Sequence, residues 1–239
     1  MINFQKNIFR PFGQAIADYH LVSENDRVLI CLSGGADSFT LAELFLRWQV
    51  RLPFSILLYA VHVDLWENAE CRKSVEDYAG ERNLSLKISL APRSEIEQKI
   101  ADSPGFSPCY ICARERRLKI FKAAVEFNCN KIAFAHNLND FFETTLLNMF
   151  YSGSFEALSV KKLFCRGKFL VIRPLVFIES AAIRRFINVK RVTVHKNSCP
   201  YSESTKREVV RRVIARQMKT NPYCLGSFRN GLKKWLGRS

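Results

Sequence analysis

Residues 27–38, RVLICLSGGADS, constrain the fold more than any other stretch of the chain. Val28, Leu29, Ile30, Cys31 and Leu32 form an unbroken apolar run, which reads as a buried strand. The run enters a Ser-Gly-Gly turn, and a helical pattern starts near Ser38, with Leu41, Leu44, Phe45 and Trp48 on its apolar face. Adjacent glycines permit positive φ and let the backbone approach a ligand closely. The N–H groups of such a turn, with the unpaired N–H groups that open the next helix, form a ready anion site. Asp37 adds a carboxylate suited to Mg²⁺ on a polyphosphate, and Ser33 and Ser38 add hydroxyls. The stretch lacks the Gly-Lys-Ser/Thr ending of the Walker loop. An ordinary glycine turn is the alternative, and the strand–turn–helix setting favours nucleotide binding over it.

The rest of the chain alternates in the same way. Residues 3–21 read as an amphipathic helix, 54–63 as a second buried strand ending in His62-Val63-Asp64, 69–83 as a helix and 84–90 as a strand. Residues 91–108, marked by Pro92, Pro104, Gly105 and Pro108, read as a loop. A helix over about 112–127, a strand over 131–135 and a helix over 139–151 with Asn139 as its cap complete an α/β pattern with a parallel, Rossmann-like sheet. Extended pieces at 171–175 and 191–195 and helices over 179–189, 203–219 and 225–236 follow. The expected division is a nucleotide-binding domain over 1–160 and a basic helical part over 161–239. Open α/β sheets bind ligands beyond the carboxyl ends of their strands, which places SGGADS, His62 with Asp64, and His136 around one nucleotide. Asp140 and Glu143 share a helical face that starts where the fourth strand ends.

Charge narrows the partner. The chain has 37 Lys+Arg against 22 Asp+Glu, a formal net charge of +15. That field favours a polyanion, and with no basic amphipathic helix of strong apolar face at either end, nucleic acid is preferred to a membrane surface. The longest apolar run is too short for a bilayer and the N-terminus is too polar for a signal peptide, so a cytoplasmic location is expected. Eight cysteines in such a compartment do not imply disulfides. Cys109 and Cys112 stand apart because Pro-Cys-Tyr-Ile-Cys opens a helix, where the positive helix end favours thiolates. Taken alone, CxxC fits zinc, redox or iron–sulfur chemistry. With Cys199 as a third thiolate the set suits a cubane iron–sulfur cluster with one iron left open; structural zinc with His136 or His195 as fourth ligand is the alternative. Arg114, Arg116 and Arg117 follow the CxxC, and Lys206, Arg207, Arg211 and Arg212 follow Cys199. Both basic runs thus start at the proposed metal site, although solvated helix faces carry such runs too.

With these residues in hand, the chain resembles the tRNA 2-thiocytidine synthetase family of pyrophosphate-loop enzymes. SGGADSFTLAEL is similar to the family's nucleotide loop, CYICARERR to its CxxC followed by arginines, AHNLNDFFETTLLNMFYSG to its post-strand helix and VIRPLVFIE to its IRPL segment. Cys199 falls where the family's third cysteine lies. Members commonly carry Lys where Ala36 stands and two adjacent aspartates where this chain has Asn139-Asp140. The Pro-Tyr-Ser after Cys199 is closer to the related 2-thiouridine-forming branch.

The resemblance implies ATP-dependent thiolation of a cytidine in the tRNA anticodon loop: the base carbonyl is adenylated and its oxygen is replaced by sulfur. It implies that Ser33, Gly34, Gly35, Asp37, Ser38, His62 and His136 contact ATP, that Asp37 and Asp140 serve Mg²⁺ and catalysis, and that Cys109, Cys112 and Cys199 hold a 4Fe–4S cluster. It also implies a sulfur donor, either a cysteine desulfurase or sulfide, and a homodimer. The rival readings are a cluster-dependent desulfurase or thiolase on another base, and an RNA-binding iron–sulfur protein without ATP chemistry.

Overall fold

The central strand shows how the layers are built. The computed structural model describes residues 3–195, 201 and 206–237. In β1 (Arg27–Cys31) successive side chains point to opposite faces of the sheet. Val28 and Ile30 enter the larger core with residues of the helices on one face, while Leu29 enters a smaller one with Ile120, Ala123 and Ala124 on the other. Both faces are covered, which is why β1 reads as an unbroken apolar run.

The sheet has six strands in the order β3-β2-β1-β4-β6-β5. These are β2 (Leu57–Asp64), β3 (Ser85–Leu90), β4 (Lys131–Ala133), β5 (Lys161–Phe164) and β6 (Phe169–Ile172). β1 pairs in parallel with both β2 and β4, β4 pairs in parallel with β6, and β5 closes the edge as an antiparallel hairpin with β6. The chain therefore leaves β1 toward one edge and returns to its other side at β4. That reversal is the topological switch point, where an open α/β sheet has its ligand crevice.

The first-turn π-helix Gln5–Phe9 runs into α1 (Arg10–Asp18), whose Phe12 meets Phe45 and Trp48 edge-on at 5.4 and 5.6 Å. Those rings belong to α2 (Ala36–Gln49), and each such pair contributes about 0.5–1.5 kcal/mol beyond area burial. α3 (Ala69–Glu81), α6 (Leu138–Tyr151), α7 (Ser180–Val189) and α9 (Cys224–Leu236) add to the same layer, while α5 (Pro108–Glu126) covers the opposite face. α8 (Lys206–Thr220) packs on α6 and α9. The sheet continues through β6 to Ile172, so strands lie on both sides of residue 160.

The amino end of the sheet is chemically closed. Lys131 Nζ lies 2.7 Å from Asp26 Oδ2 and donates to the Leu21 carbonyl at 2.9 Å, and Asn130 donates to the other Asp26 oxygen at 2.7 Å. These buried charges satisfy one another, which leaves the carboxyl end as the reactive side.

Four local readings change. The stretch expected as a loop over 91–108 contains α4 (Arg93–Ala101), a mostly polar helix that buries only Ile96. α5 starts at Pro108, before Cys112, because the Ser107 hydroxyl accepts from Tyr110 N–H and Pro108 fits the first helical turn. The cap of α6 is Asn137 and not Asn139: Asn137 and Asp140 form a reciprocal capping box. Residues 191–195 form no strand.

Candidate active site

The glycine loop is held in one shape by its own serines. Ser38 Oγ donates to the Gly35 carbonyl at 2.9 Å and accepts from the Ser33 N–H at 3.1 Å. Ser33 Oγ lies 3.2 Å from Ser38 Oγ. Gly34 has φ +80°, and a Cβ there would stand 2.3 Å from Cys71 Sγ on α3. Only glycine fits, for two independent reasons. Gly35 caps α2 without a side chain, so the first-turn N–H groups of α2 face the loop with no side-chain cap among the described residues. The Ser33 and Gly35 N–H groups are engaged by the Ser38 and Ser33 hydroxyls, and the N–H groups that open α2 suit an anion.

His62 extends this end of the sheet. Its Nδ1 lies 2.7 Å from the Leu32 carbonyl, which can only accept, so Nδ1 carries the proton. Burial lowers its pKa, and the ring is neutral. Asp64 accepts from Trp66 N–H at 3.0 Å and lies 3.5 Å from Arg72. After β4, His136 Nδ1 accepts from Arg173 Nε at 3.3 Å. Burial first, then Arg173 and Arg207, push the His136 pKa down to about 3, so this imidazole is neutral as well.

Two carboxylates meet where α2 and α6 begin. Asp37 Oδ1 accepts from Asn137 Nδ2 at 3.0 Å, and Asp140 Oδ2 accepts from Asn137 N–H at 2.9 Å. Asn137 therefore ties both acids together. Burial raises both carboxyls above their ordinary range, with each made worse by a neighbouring acid. A pair of half-buried carboxylates in that state suits a hard divalent cation, so Asp37 and Asp140 fit the Mg²⁺ of an ATP site. Asn139 does different work: its Oδ1 accepts from Ser180 N–H at 3.0 Å and anchors the start of α7.

Asp37→Asn tests this reading. A raised carboxyl pKa opposes folding above the ordinary carboxylate range, because the unfolded chain ionises more easily. The asparagine variant is expected to melt higher than the parent at neutral pH, with the gap closing as pH falls through the carboxylate range. Mg²⁺·ATP is expected to raise the parent's melting temperature and to leave the variant's nearly unchanged.

One cavity of about 670 Å³ joins these groups. Ser33, Gly35, Asp37, Ser38, His62 and His136 line it, together with Arg116 and Arg117 from α5. Its size matches a nucleotide-scale pocket. Gly34 sits behind the lining against Cys71, and Asp140 lies behind it in the α6 cap. Arg114 is exposed on α5. Arg207 and Arg211 reach Glu143 at 3.9 and 3.0 Å, Arg212 pairs with Glu208 at 3.6 Å, and Lys206 lies over the Tyr151 ring at 4.8 Å.

Cys109 and Cys112 occupy one face of the first turns of α5, one turn ahead of the cavity-lining Ala113, Arg116 and Arg117. Cys109 is exposed, whereas Cys112 packs with Leu65, Ala91 and Ile96. Neither lines the cavity. Cys199 lies outside the described residues, and among the described residues no three His, Cys, Asp or Glu side chains share a metal-binding position. Tyr201, two residues after Cys199, brings its ring within 6.0 Å of Trp66, which packs on the cluster that holds Cys112. The two α5 thiols at i, i+3 fit part of an iron–sulfur ligand set.

Arg173, Asn137 and Cys71 were not singled out from the sequence. The VIRPL string marks the place of Arg173 but not its burial, and the Cys71 contact depends on the register of α3 over the loop.

A glycine cradle at a helix start, at the switch point of a parallel sheet, defines a nucleotide-binding α/β protein. The family pattern described as PP-loop domain matches residues 4–218. The tRNA-cytidine(32) 2-sulfurtransferase of Methylococcus capsulatus is 32% identical over 219 residues, covering 91% of this chain and 75% of the relative. The protein of that name from Photorhabdus laumondii is 32% identical over 220 residues, covering 91% and 71%. Among solved structures, the U34-tRNA thiolase NcsA from Methanococcus maripaludis, with its 4Fe-4S cluster, superposes with a TM-score of 0.76 at 22% identity, covering 100% of this chain and 85% of that one. The chain belongs to the PP-loop family, in the group these tRNA 2-sulfurtransferases represent. Among the described residues no helix is long and apolar enough to cross a membrane.

Proposed function

We propose that the protein is an ATP-dependent sulfurtransferase that forms 2-thiocytidine in the tRNA anticodon loop. The observation that carries this reading is the shared cavity: the glycine loop forms one wall, and the helix that begins with Cys109 and Cys112 forms another. The loop N–H groups and the start of α2 receive the pyrophosphate of ATP. Asp37, on the cavity lining, and Asp140, behind it, are the residues that would hold Mg²⁺, which would neutralise the polyphosphate. The base carbonyl oxygen attacks the α-phosphorus, the bond to pyrophosphate breaks, and the base becomes an adenylate. Sulfide then adds to C2 and the C–O bond breaks, releasing AMP.

In this reading Cys109, Cys112 and Cys199 would hold the cluster, and a 4Fe–4S cluster would supply a site for sulfide. Arg116 and Arg117 face the cavity and hold RNA phosphates close to it, while Arg114, Lys206 and Arg212 widen the basic surface. Arg207 and Arg211 act from their ion pairs with Glu143, and their first duty is to fix α8 on α6. An unpaired loop base needs little energy to enter a pocket. A cysteine desulfurase or free sulfide supplies the sulfur, and the setting is the cytoplasm.

For the reading without ATP chemistry, motivated by Ala36 and Asn139, the geometry bears on Asn139. The Asn139 side chain serves α7, and the carboxylates beside the loop are Asp37 and Asp140. Mass spectrometry of tRNA nucleosides, from cells with and without the gene, tests the proposal. Loss of 2-thiocytidine is the expected result. Unchanged 2-thiocytidine with loss of another thiolated base would move the assignment to that base.

A further inference from the structure

Arg173 is a cavity-lining cation whose described partners are all neutral. Its Nε donates to His136 Nδ1 at 3.3 Å and its Nη1 donates to the Ser159 carbonyl at 2.6 Å. Among the described residues no carboxylate forms an ion pair with it. Arg173 is half-buried, and that burial alone draws its pKa down to about 10, as expected of a charge partly removed from water without a counter-ion. An uncompensated guanidinium at a ligand pocket is costly unless the ligand brings the opposite charge. The carboxylates on this cavity, Asp37 and Asp64, are engaged by Asn137 and by Arg72 with the Trp66 N–H, and form no ion pair with it.

Its place in the sheet separates it from the glycine cradle. Arg173 follows β6, and β6 is two strands from β1 in the order β1-β4-β6. At ~4.8 Å per strand spacing, the carboxyl ends of β1 and β6 stand roughly 10 Å apart, and the Arg173 head lies beside His136, which follows the intervening β4. We propose that Arg173 is the anion-binding residue of a second subsite in this cavity, and that its ligand is a phosphate ester distinct from the pyrophosphate in the loop. Two sources have this chemistry: the α-phosphate end of the nucleotide, and the RNA backbone phosphodiester beside the target base. The planar fork keeps Nη2 available for such an oxyanion while Nε and Nη1 hold the side chain in place. The inference rests on the tRNA-thiolation reading for its RNA arm and on the glycine loop alone for its nucleotide arm.

Arg173→Gln and Arg173→Lys, made in the full chain, separate the cases. ATP binding is read by calorimetry and binding of an anticodon stem-loop RNA by fluorescence anisotropy at several salt concentrations, with melting curves alongside. If the ligand is a backbone phosphate, the glutamine variant loses about tenfold or more in RNA affinity and its salt slope falls by about one phosphate contact, while ATP binding is unchanged. If the ligand is the nucleotide, ATP affinity falls by a similar factor and RNA binding is unchanged. In either case the lysine variant recovers part of the loss, because it restores the charge without the fork. Parental affinity for both ligands in a stably folded glutamine variant overturns the subsite alone. A lower melting temperature with both affinities lost in both variants assigns Arg173 a structural role and also overturns it. A parent protein that binds ATP but not RNA overturns the thiolation reading and leaves the nucleotide arm to decide the subsite.

Discussion

Gly34→Ala is expected to abolish ATP binding and to destabilise the protein by about 2–4 kcal/mol, through two separable causes. The first is backbone conformation. Gly34 sits at φ +80°, where an L-residue costs about 1–2 kcal/mol. The second is contact: the new Cβ would lie 2.3 Å from Cys71 Sγ, and Cys71 is itself buried. A double-mutant cycle tells them apart. Once Cys71 is alanine, the remaining neighbours of that Cβ are Val75 Cγ2 at 3.8 Å and Cys71 Cβ at 3.9 Å, which are ordinary contacts. Gly34→Ala in the Cys71→Ala background should therefore cost only the conformational share, and ATP binding should return in part. Melting curves and ATP calorimetry on the four proteins supply the measurement. Equal costs of Gly34→Ala in both backgrounds would show that the thiol is no obstacle.

That cycle also marks how far the sequence reaches. The glycine loop is legible because its constraint is local: a buried strand, two glycines and a helix in direct succession. Asp37 and His62 are legible for the same reason, since Asp37 opens the helix after the turn and His62 stands near the end of an apolar strand. The obstacle at Gly34 is not local. It joins the loop to Cys71 through the packing of α3, and no periodicity encodes it. Arg173 is similar, because an arginine in VIRPL reads as surface until the fold buries it beside His136. Shape also escapes where the elements lack a core face. β5 begins Lys161-Lys162 and leaves most of its length exposed, as an edge strand does, so its pattern is not apolar. α4 buries a single residue and carries almost no amphipathic signal. The α6 start fails differently. Asn137 and Asn139 are both good caps, and the Asp three residues after Asn137 is the clue that decides between them.

Cys109→Ala and Cys112→Ala are expected to abolish iron–sulfur absorbance and tRNA thiolation while sparing ATP binding, the reverse of the nucleotide loss at Gly34. The cysteines sit on α5 and the cradle sits between β1 and α2, so removing a thiol leaves the loop's own hydrogen bonds intact. The two variants should differ in stability. Cys109 is exposed, and its truncation removes little packing, so with both proteins cluster-free its melting temperature should stay within ~2 °C of the parent's. Cys112 is 6% exposed among Leu65, Ala91 and Ile96, and its truncation leaves a small void worth about 1 kcal/mol. Serine is the poorer substitute at 112, because its hydroxyl would enter an apolar cluster at a cost of about 1–3 kcal/mol. Iron content, visible absorbance, ATP calorimetry and nucleoside mass spectrometry on the two alanine variants make the comparison. Full iron content and full thiolation in Cys109→Ala would remove that thiol from the ligand set. Loss of ATP binding in Cys109→Ala, at an unchanged melting temperature, would mean that the start of α5 contacts the nucleotide directly.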